Sequence, residues 1–379
     1  MTERKIMRNK KRKKILISII IIILIAAVGF MLVNNQFIKG IYYKDNPSAT
    51  DNNPVIPISS DADYITFKNL LITSVGNIIS AYNIKGEQVE QKRYSEISAI
   101  VSHYSDLHLK ACDNYIIAYD KGGTGAVIFN NNKILSKISS QSKIIFAKPF
   151  NNGEFLIIAE DSNAKNQVIL YSQDAKEKYK WHSGMNNILD ATYSPSIEKL
   201  VIITAQLSTG VFNSKIQFFD IDNPAPVSET TFDNVFFTNI NFYNKDEILV
   251  LSDMGLYYFN KNGKHRGTYS FNNKMLTCYK QMPGGMMALS FGSKSGNGTV
   301  VEVVNSKAEL IGVYDSPNDV YSIDATSNNI LLCGLREISL IGKKGSLIRN
   351  FEYDKDLQKA FFLNNKFVLI GNSEIRIIN

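Results

Sequence analysis

Histidine, cysteine and tryptophan are scarce in this chain: four, three and one among 379 residues. Four His leave little material for acid–base or metal chemistry, which gathers several such side chains in one place. Three Cys, an odd number, exclude a disulfide framework as the source of the fold. Cys278 and Cys333 fall close enough along the chain for one bridge, but apolar surroundings favour buried free thiols for Cys112, Cys278 and Cys333. Long apolar runs are scarce too, with Ile15 to Val33 as the one clear case. Excess charge is missing from most of the chain. The formal net charge of +7 arises in residues 1–14, which hold eight of the 42 bases and one of the 35 acids, so the remainder carries 34 of each. A neutral remainder lacks the electrostatic footprint of nucleic-acid binding, and no nucleic-acid partner is expected.

The apolar run covers 19 residues, broken only by Ser18 and Gly29. As a helix it reaches roughly 28 Å, close to the hydrocarbon thickness of a bilayer. The bases ahead of it place the N-terminus in the cytoplasm. A signal peptide cleaved after Ala27-Val28-Gly29 is the rival reading. Continuation of the run through Phe30-Met31-Leu32-Val33 favours an uncleaved anchor. The expected organisation is a basic cytoplasmic tail (1–14), a transmembrane helix (15–33), a linker (34–53) and an extracellular domain (54–379). The linker is rich in Asn, Lys, Asp and Pro and spans roughly 25 Å if flexible. Abundant Ile, Asn and Lys point to an AT-rich genome, and a low-G+C Gram-positive bacterium is the expected source.

What the chain does have is repetition. Leu256-Tyr257-Tyr258-Phe259-Asn260 is an apolar strand ending on Asn and running into a Gly-containing turn. The ending recurs with polar or small residues at 83, 130, 172, 220, 260, 305, 342 and 379, at intervals averaging about 42 residues. A period of this size built from strands predicts β-propeller blades. Each repeat also has an almost wholly apolar second strand, such as Leu156-Ile157-Ile158-Ala159, which suits a strand covered on both faces. A more polar fourth strand follows, such as Ser228-Glu229-Thr230-Thr231-Phe232, as an outer edge requires. The eighth repeat stops at Asn379 without a fourth strand. Pro54-Val55-Ile56-Pro57-Ile58 is predicted to supply it and close the ring. The fold class is therefore all-β, an eight-bladed β-propeller, with a seven-bladed ring and a separate first repeat as the alternative.

On these strand endings, and on turns such as Asn260-Lys261-Asn262-Gly263-Lys264 and Gly342-Lys343-Lys344-Gly345-Ser346, residues 54–379 resemble the WD-repeat and quinoprotein-like β-propeller superfamily. With the N-terminal anchor, the chain is similar to bacterial families of membrane-anchored propellers. The resemblance implies a fold and says almost nothing about function. No Trp-Asp dipeptide occurs, and the single Trp181 cannot supply the recurrent Trp of quinoprotein dehydrogenases. No cofactor is expected.

Local candidates for chemistry have plainer explanations. His103, Asp106, His108, Cys112 and Asp113 are metal-ligand types in one stretch, but the spacing of the two His sends them to opposite faces of a strand. A solvated connection between blades is the expected reading, with no metal. The Gly-rich Lys121-Gly122-Gly123-Thr124-Gly125 and 292–298 lack phosphate-loop spacing and precede no helix. Asn297-Gly298-Thr299 is a formal glycosylation sequon, expected to be idle in a bacterium.

The expected function is a non-catalytic binding or scaffold module, membrane-anchored and extracytoplasmic, that presents one propeller face to a protein or a cell-wall polymer. The alternative is an extracellular propeller lyase or hydrolase with its site over the central channel. The predicted binding face is the one carrying loops between second and third strands together with the blade-to-blade links. Repeats two, three, four and six are read as carrying longer polar insertions there: Asp120 to Gly125, Glu160 to Gln167, Gln206 to Ser214 and Gly292 to Gly298, the first three forming one continuous patch. Candidate partner-binding residues on this patch are Lys121, Asp161, Asn163, Lys165, Trp181, His182, Thr209 and Phe212.

Overall fold

The computed structural model describes residues 55–58, 62–93, 106–130, 133–208, 210–292 and 298–379. These form eight four-stranded antiparallel sheets. Seven are consecutive in sequence, with inner strands Asp63–Phe67, Asp106–Cys112, Ile144–Pro149, Asn187–Ser194, Phe237–Phe242, Leu276–Met282 and Ser322–Ala325 in blades 1 to 7. The eighth combines both ends of the domain. Leu357–Leu363, Lys366–Gly371 and Glu374–Ile378 are its first three strands, and Val55–Pro57 is its outer strand. Val55 pairs with Arg376, Ile56 with Ile375 and Pro57 with Glu374. The ring is thus eight-bladed and closed by the predicted segment, and the seven-bladed alternative falls. Among the described residues no helix is long and apolar enough to cross a membrane. The expected tail, anchor and linker lie outside those residues.

The period-2 geometry of a strand explains why the second strands read as unbroken apolar runs. In Phe155–Glu160, Phe155, Ile157 and Ala159 pack toward blade 2, whereas Leu156 and Ile158 pack toward blade 4. The same division holds in Lys199–Ser208, where Leu200 and Ile202 face blade 3 and Val201 and Ile203 face blade 5. Eight apolar clusters result, one in each gap between neighbouring blades. In the closing gap Ile56 joins Ile375 and Ile377 of blade 8 and Leu71 of blade 1.

The repeated Asn at the end of the third strand has a local cause. Asn260 Oδ1 accepts the N–H groups of Asn262 (3.0 Å) and Lys264 (2.9 Å), which folds the next four residues into a tight turn. Asn83 and Asn305 do the same for Lys85 and Glu87, and for Lys307 and Glu309. The fourth position of each turn takes a left-handed backbone. Gly263 fills it at φ 81°, while Ala175 and Ala308 occupy the equivalent place at 62° and 63°.

Two expectations are corrected. Asp106–Cys112 is the inner strand of blade 2 and not a solvated connection; His103 lies outside the described residues. The Gly-rich stretch of blade 2 is not a long insertion, because strands run through Lys121 and resume at Gly125. Gly123 is required there since a Cβ would meet Asp120 Oδ2 at 2.0 Å, and the buried Asp120 accepts the N–H of Asp106 at 3.1 Å.

Candidate functional site

Charged side chains on the inner strands make contacts between neighbouring blades. Three aspartates repeat one role. Asp63 Oδ2 accepts the Leu109 N–H (2.9 Å), Asp190 Oδ2 that of Ile240 (2.9 Å), and Asp324 Oδ2 that of Phe362 (2.8 Å). Each acceptor therefore latches its blade to the inner strand of the next, satisfying a backbone donor that the sheet ladder leaves free. A nitrogen-bearing side chain accompanies each latch: His108 beside Asp63 (3.7 Å), Lys148 beside Asp190 (3.7 Å) and Lys280 beside Asp324 (2.6 Å). Burial pushes the Lys148 ammonium down, with Asp190 opposing it. Burial pushes the Asp190 carboxyl up, and Lys148 and the Ile240 and Ala191 N–H groups oppose that rise. His108 also lies 3.3 Å from Asp106 and stacks on Tyr119. Among the described residues no group of His, Cys, Asp and Glu is arranged to hold a metal. Cys112, Cys278 and Cys333 are free thiols; burial pushes Cys112 up to about 11 and Cys333 up to about 12.

The loops between second and third strands do share a face with the blade-to-blade links, and backbone hydrogen bonds knit the two together. Gly122 donates to Ile144, Lys165 to Gly184, Asn234 to Phe212, and Phe271 to Met254. The predicted residues are distributed along this face. In blade 3 the loop 161–165 is ordered by Asp161, whose Oδ1 accepts the N–H groups of Asn163 (2.8 Å) and Ala164 (3.2 Å). Asp161 Oδ2 contacts His182 Nδ1, so these two candidates meet. The Asn163 N–H, then His182, hold the Asp161 carboxyl below its ordinary value. Asn163 and Lys165 are exposed beside them, and Lys121 is exposed at the end of its strand in blade 2. Trp181 is half-buried and packs on Phe219 of blade 4 (ring centroids 5.3 Å), so its indole joins two blades. Thr209 lies outside the described residues.

Phe212 belongs to a feature that sequence reasoning misread. Gln206 to Ser214 is not a loose polar insertion. Lys199–Ser208 and Val211–Asp220 are ten-residue strands whose ladder continues through Leu207↔Phe212 and Ser208↔Val211, past the last pairing of either flanking strand. The overhang is apolar: Leu207 is 72% exposed, and Phe212 contacts Phe236 of the next link (5.2 Å). Phe236 is itself held by the turn of blade 5, donating its N–H to Asp253 Oδ1 and accepting from the Asp253 N–H. Met254 in that turn and Met275 in the following link are 45% and 72% exposed. An apolar crescent therefore runs over blades 4 to 6. On the same face Tyr321 and Leu335, both about half exposed, line a depression of about 590 Å³ whose charged lining is Asp319, Glu337, Glu352 and Asp354 against Arg336. The available signal was the apolar Leu207, Val211 and Phe212 on either side of a short Gly-containing turn.

A second cleft, of about 640 Å³, opens on the opposite face. It lies among the ends of the inner strands of blades 2 to 5 and their first turns.

Comparison with solved structures agrees with the architecture. The chain is similar to BamB from Moraxella catarrhalis (11% identity, TM-score 0.52, covering 85% of this chain and 97% of that one). It is also similar to the C-terminal WD40 domain of Sif2 (12%, 0.62, 86% and 98%) and to a quinohemoprotein alcohol dehydrogenase from Pseudomonas putida (7%, 0.55, 86% and 75%). Likeness at such identity speaks for the fold alone. No curated protein matches. A family model described as family of unknown function DUF5711 matches residues 48–379, and the chain belongs to that family.

Proposed function

We propose that this protein is a non-catalytic binding module, held outside the cell membrane by the helix expected over residues 15–33, whose apolar crescent engages a protein partner. The observation that carries the reading is the crescent itself. Large apolar side chains on a soluble face cost free energy unless something covers them, and contiguous patches mark interaction surfaces. Methionine adapts to irregular partner surfaces, and Met254 and Met275 are exposed on segments held by backbone hydrogen bonds to Phe271 and Gly292. The acidic depression on the same face favours a partner that carries basic residues as well as apolar ones. The engagement of Asp63, Asp190 and Asp324 in blade latches supports a binding role over channel catalysis.

The test is the double variant Leu207→Asp/Met254→Asp in the full-length chain. Surface changes of this kind alter stability by about 0.5 kcal/mol or less, so folding should persist while in-cell cross-linking to the partner is lost. Capture that survives the double variant places the interface elsewhere. Location is tested separately: protease added to intact protoplasts should remove the propeller and spare residues 1–14, and digestion of the tail alone would refute the topology.

A further inference from the structure

The cleft on the face opposite the crescent combines three kinds of wall. Phe146, Phe242 and Tyr243 are half-buried and supply apolar ring surface, while the Tyr193 and Tyr243 hydroxyls are committed to Lys178 and Glu247. Lys110, Lys148 and Lys245 outnumber the single lining carboxylate, Asp113. Of the three, Lys148 is occupied: its ammonium donates to the Ile240 carbonyl (2.9 Å) and the Ala191 carbonyl (3.4 Å) beside Asp190. Lys110 and Lys245 are exposed, with the Lys110 ammonium 5.9 Å from the Phe146 ring centroid.

The third wall is a chain of amides whose orientation is fixed from behind. A carboxylate only accepts, so Asp190 Oδ2 takes the Asn239 amide nitrogen as donor (3.1 Å). The Asn239 oxygen must then accept, and it receives the Asn241 amide nitrogen at 2.6 Å. Asn241 is left with its oxygen as an oriented acceptor in the cleft. A carboxylate or sulfate ion has no donor to give it. A ligand that meets all three walls has hydroxyl donors for Asn241, negative charge for Lys110 and Lys245, and an apolar ring face for the aromatic side chains.

We propose that this cleft binds an acidic saccharide, a sugar chain bearing carboxylate or phosphate. Its volume is in the range of ligand sites, roughly 300–1,000 Å³. The site is independent of the crescent and stands or falls without it.

The test is calorimetric titration of the full-length chain with trigalacturonate, glucose 6-phosphate, maltotriose and inorganic phosphate. The proposal expects binding of at least one acidic sugar, at least tenfold tighter than maltotriose or phosphate, and weakening as salt rises. Trigalacturonate and glucose 6-phosphate separate carboxylate from phosphate recognition. Lys110→Gln/Lys245→Gln should weaken acidic-sugar binding tenfold or more, and Asn241→Leu should weaken it without changing its salt dependence. Leu207→Asp/Met254→Asp should leave it unchanged. Equal affinity for maltotriose, equal affinity for inorganic phosphate, no binding of either acidic sugar, or indifference to the lysine substitutions would each overturn the proposal.

Discussion

The two faces of the ring are made from the same repeats, yet they present opposite surfaces. Over blades 4 to 6, one face offers Leu207, Phe236, Met254 and Met275. Beneath blades 2 to 5, the other offers Lys110, Lys245 and an oriented line of amides. The difference lies in how each is supported. The apolar face rests on local structure: a strand pair continued a few residues too far, a link and a turn joined by backbone hydrogen bonds. The polar face rests on a buried Lys148–Asp190 pair that bridges blades 3 and 4 and holds the amides of blade 5. A repeat fold thus leaves its loop ends free to diverge while the blade interiors stay alike.

The strongest way to break that contrast is at Asp190. Asp190→Leu strands the Lys148 ammonium in the interior, which costs about 3–5 kcal/mol. Lys148→Met/Asp190→Leu removes both charges and should recover part of that loss, the remainder reflecting the Ile240 N–H left without its acceptor. Urea denaturation of wild type, both single variants and the double variant measures the coupling. Additive effects would show that the pair does not support the polar face. The crescent should still capture its partner in the double variant.

A smaller effect is expected at the turns below the ring. Ala175 and Ala308 occupy left-handed positions that Gly263 fills without strain in blade 5. Ala308→Gly should stabilise the protein by about 0.5 kcal/mol, since relief of the strained backbone exceeds the entropy glycine adds to the unfolded chain. A lower denaturation midpoint would contradict this.

The smallest effect concerns pH on the opposite face. The carboxyl of Asp161 is held below its ordinary value by the Asn163 N–H and then His182. A depressed folded-state value means that the contribution is present above the ordinary carboxylate range, about pH 4, and is lost as pH falls through the lower folded value. The carboxyl carbon shift of Asp161 should therefore titrate below that of a free aspartate, and the Asn163 and Ala164 amide resonances should move with it. A midpoint at the ordinary value would remove this loop from the ordered part of the face.

Much of the fold was legible because its signals are local. The Asn at 83, 260 and 305 marks strand ends because each side chain caps a turn within four residues. Unbroken apolar second strands mark blades because both faces are covered. Even the closing strand was readable, from a missing fourth strand at one end and a short Pro-flanked strand at the other. The sites were not legible in the same way. Asp63, Asp190 and Asp324 reach partners 46, 50 and 38 residues onward, so no short window contains both members. The cleft draws on four inner strands at once. The crescent was hidden differently: Leu207, Val211 and Phe212 are strand residues, but Ser208-Thr209-Gly210 between them reads as a loop.

The closing strand also sets the order in which the ring is completed. Ile56 and Ile375 are over 300 residues apart, and contacts of such separation form late. Seven blades can assemble on the ribosome while Ile56 waits unpaired; the eighth cannot finish until Glu374–Ile378 has emerged. The same strand is the first of the ring to meet any tension applied along the chain from its N-terminal side. With three residues and one buried side chain, Ile56, it is the weakest link in that load path, and it would peel before any inner strand gives way.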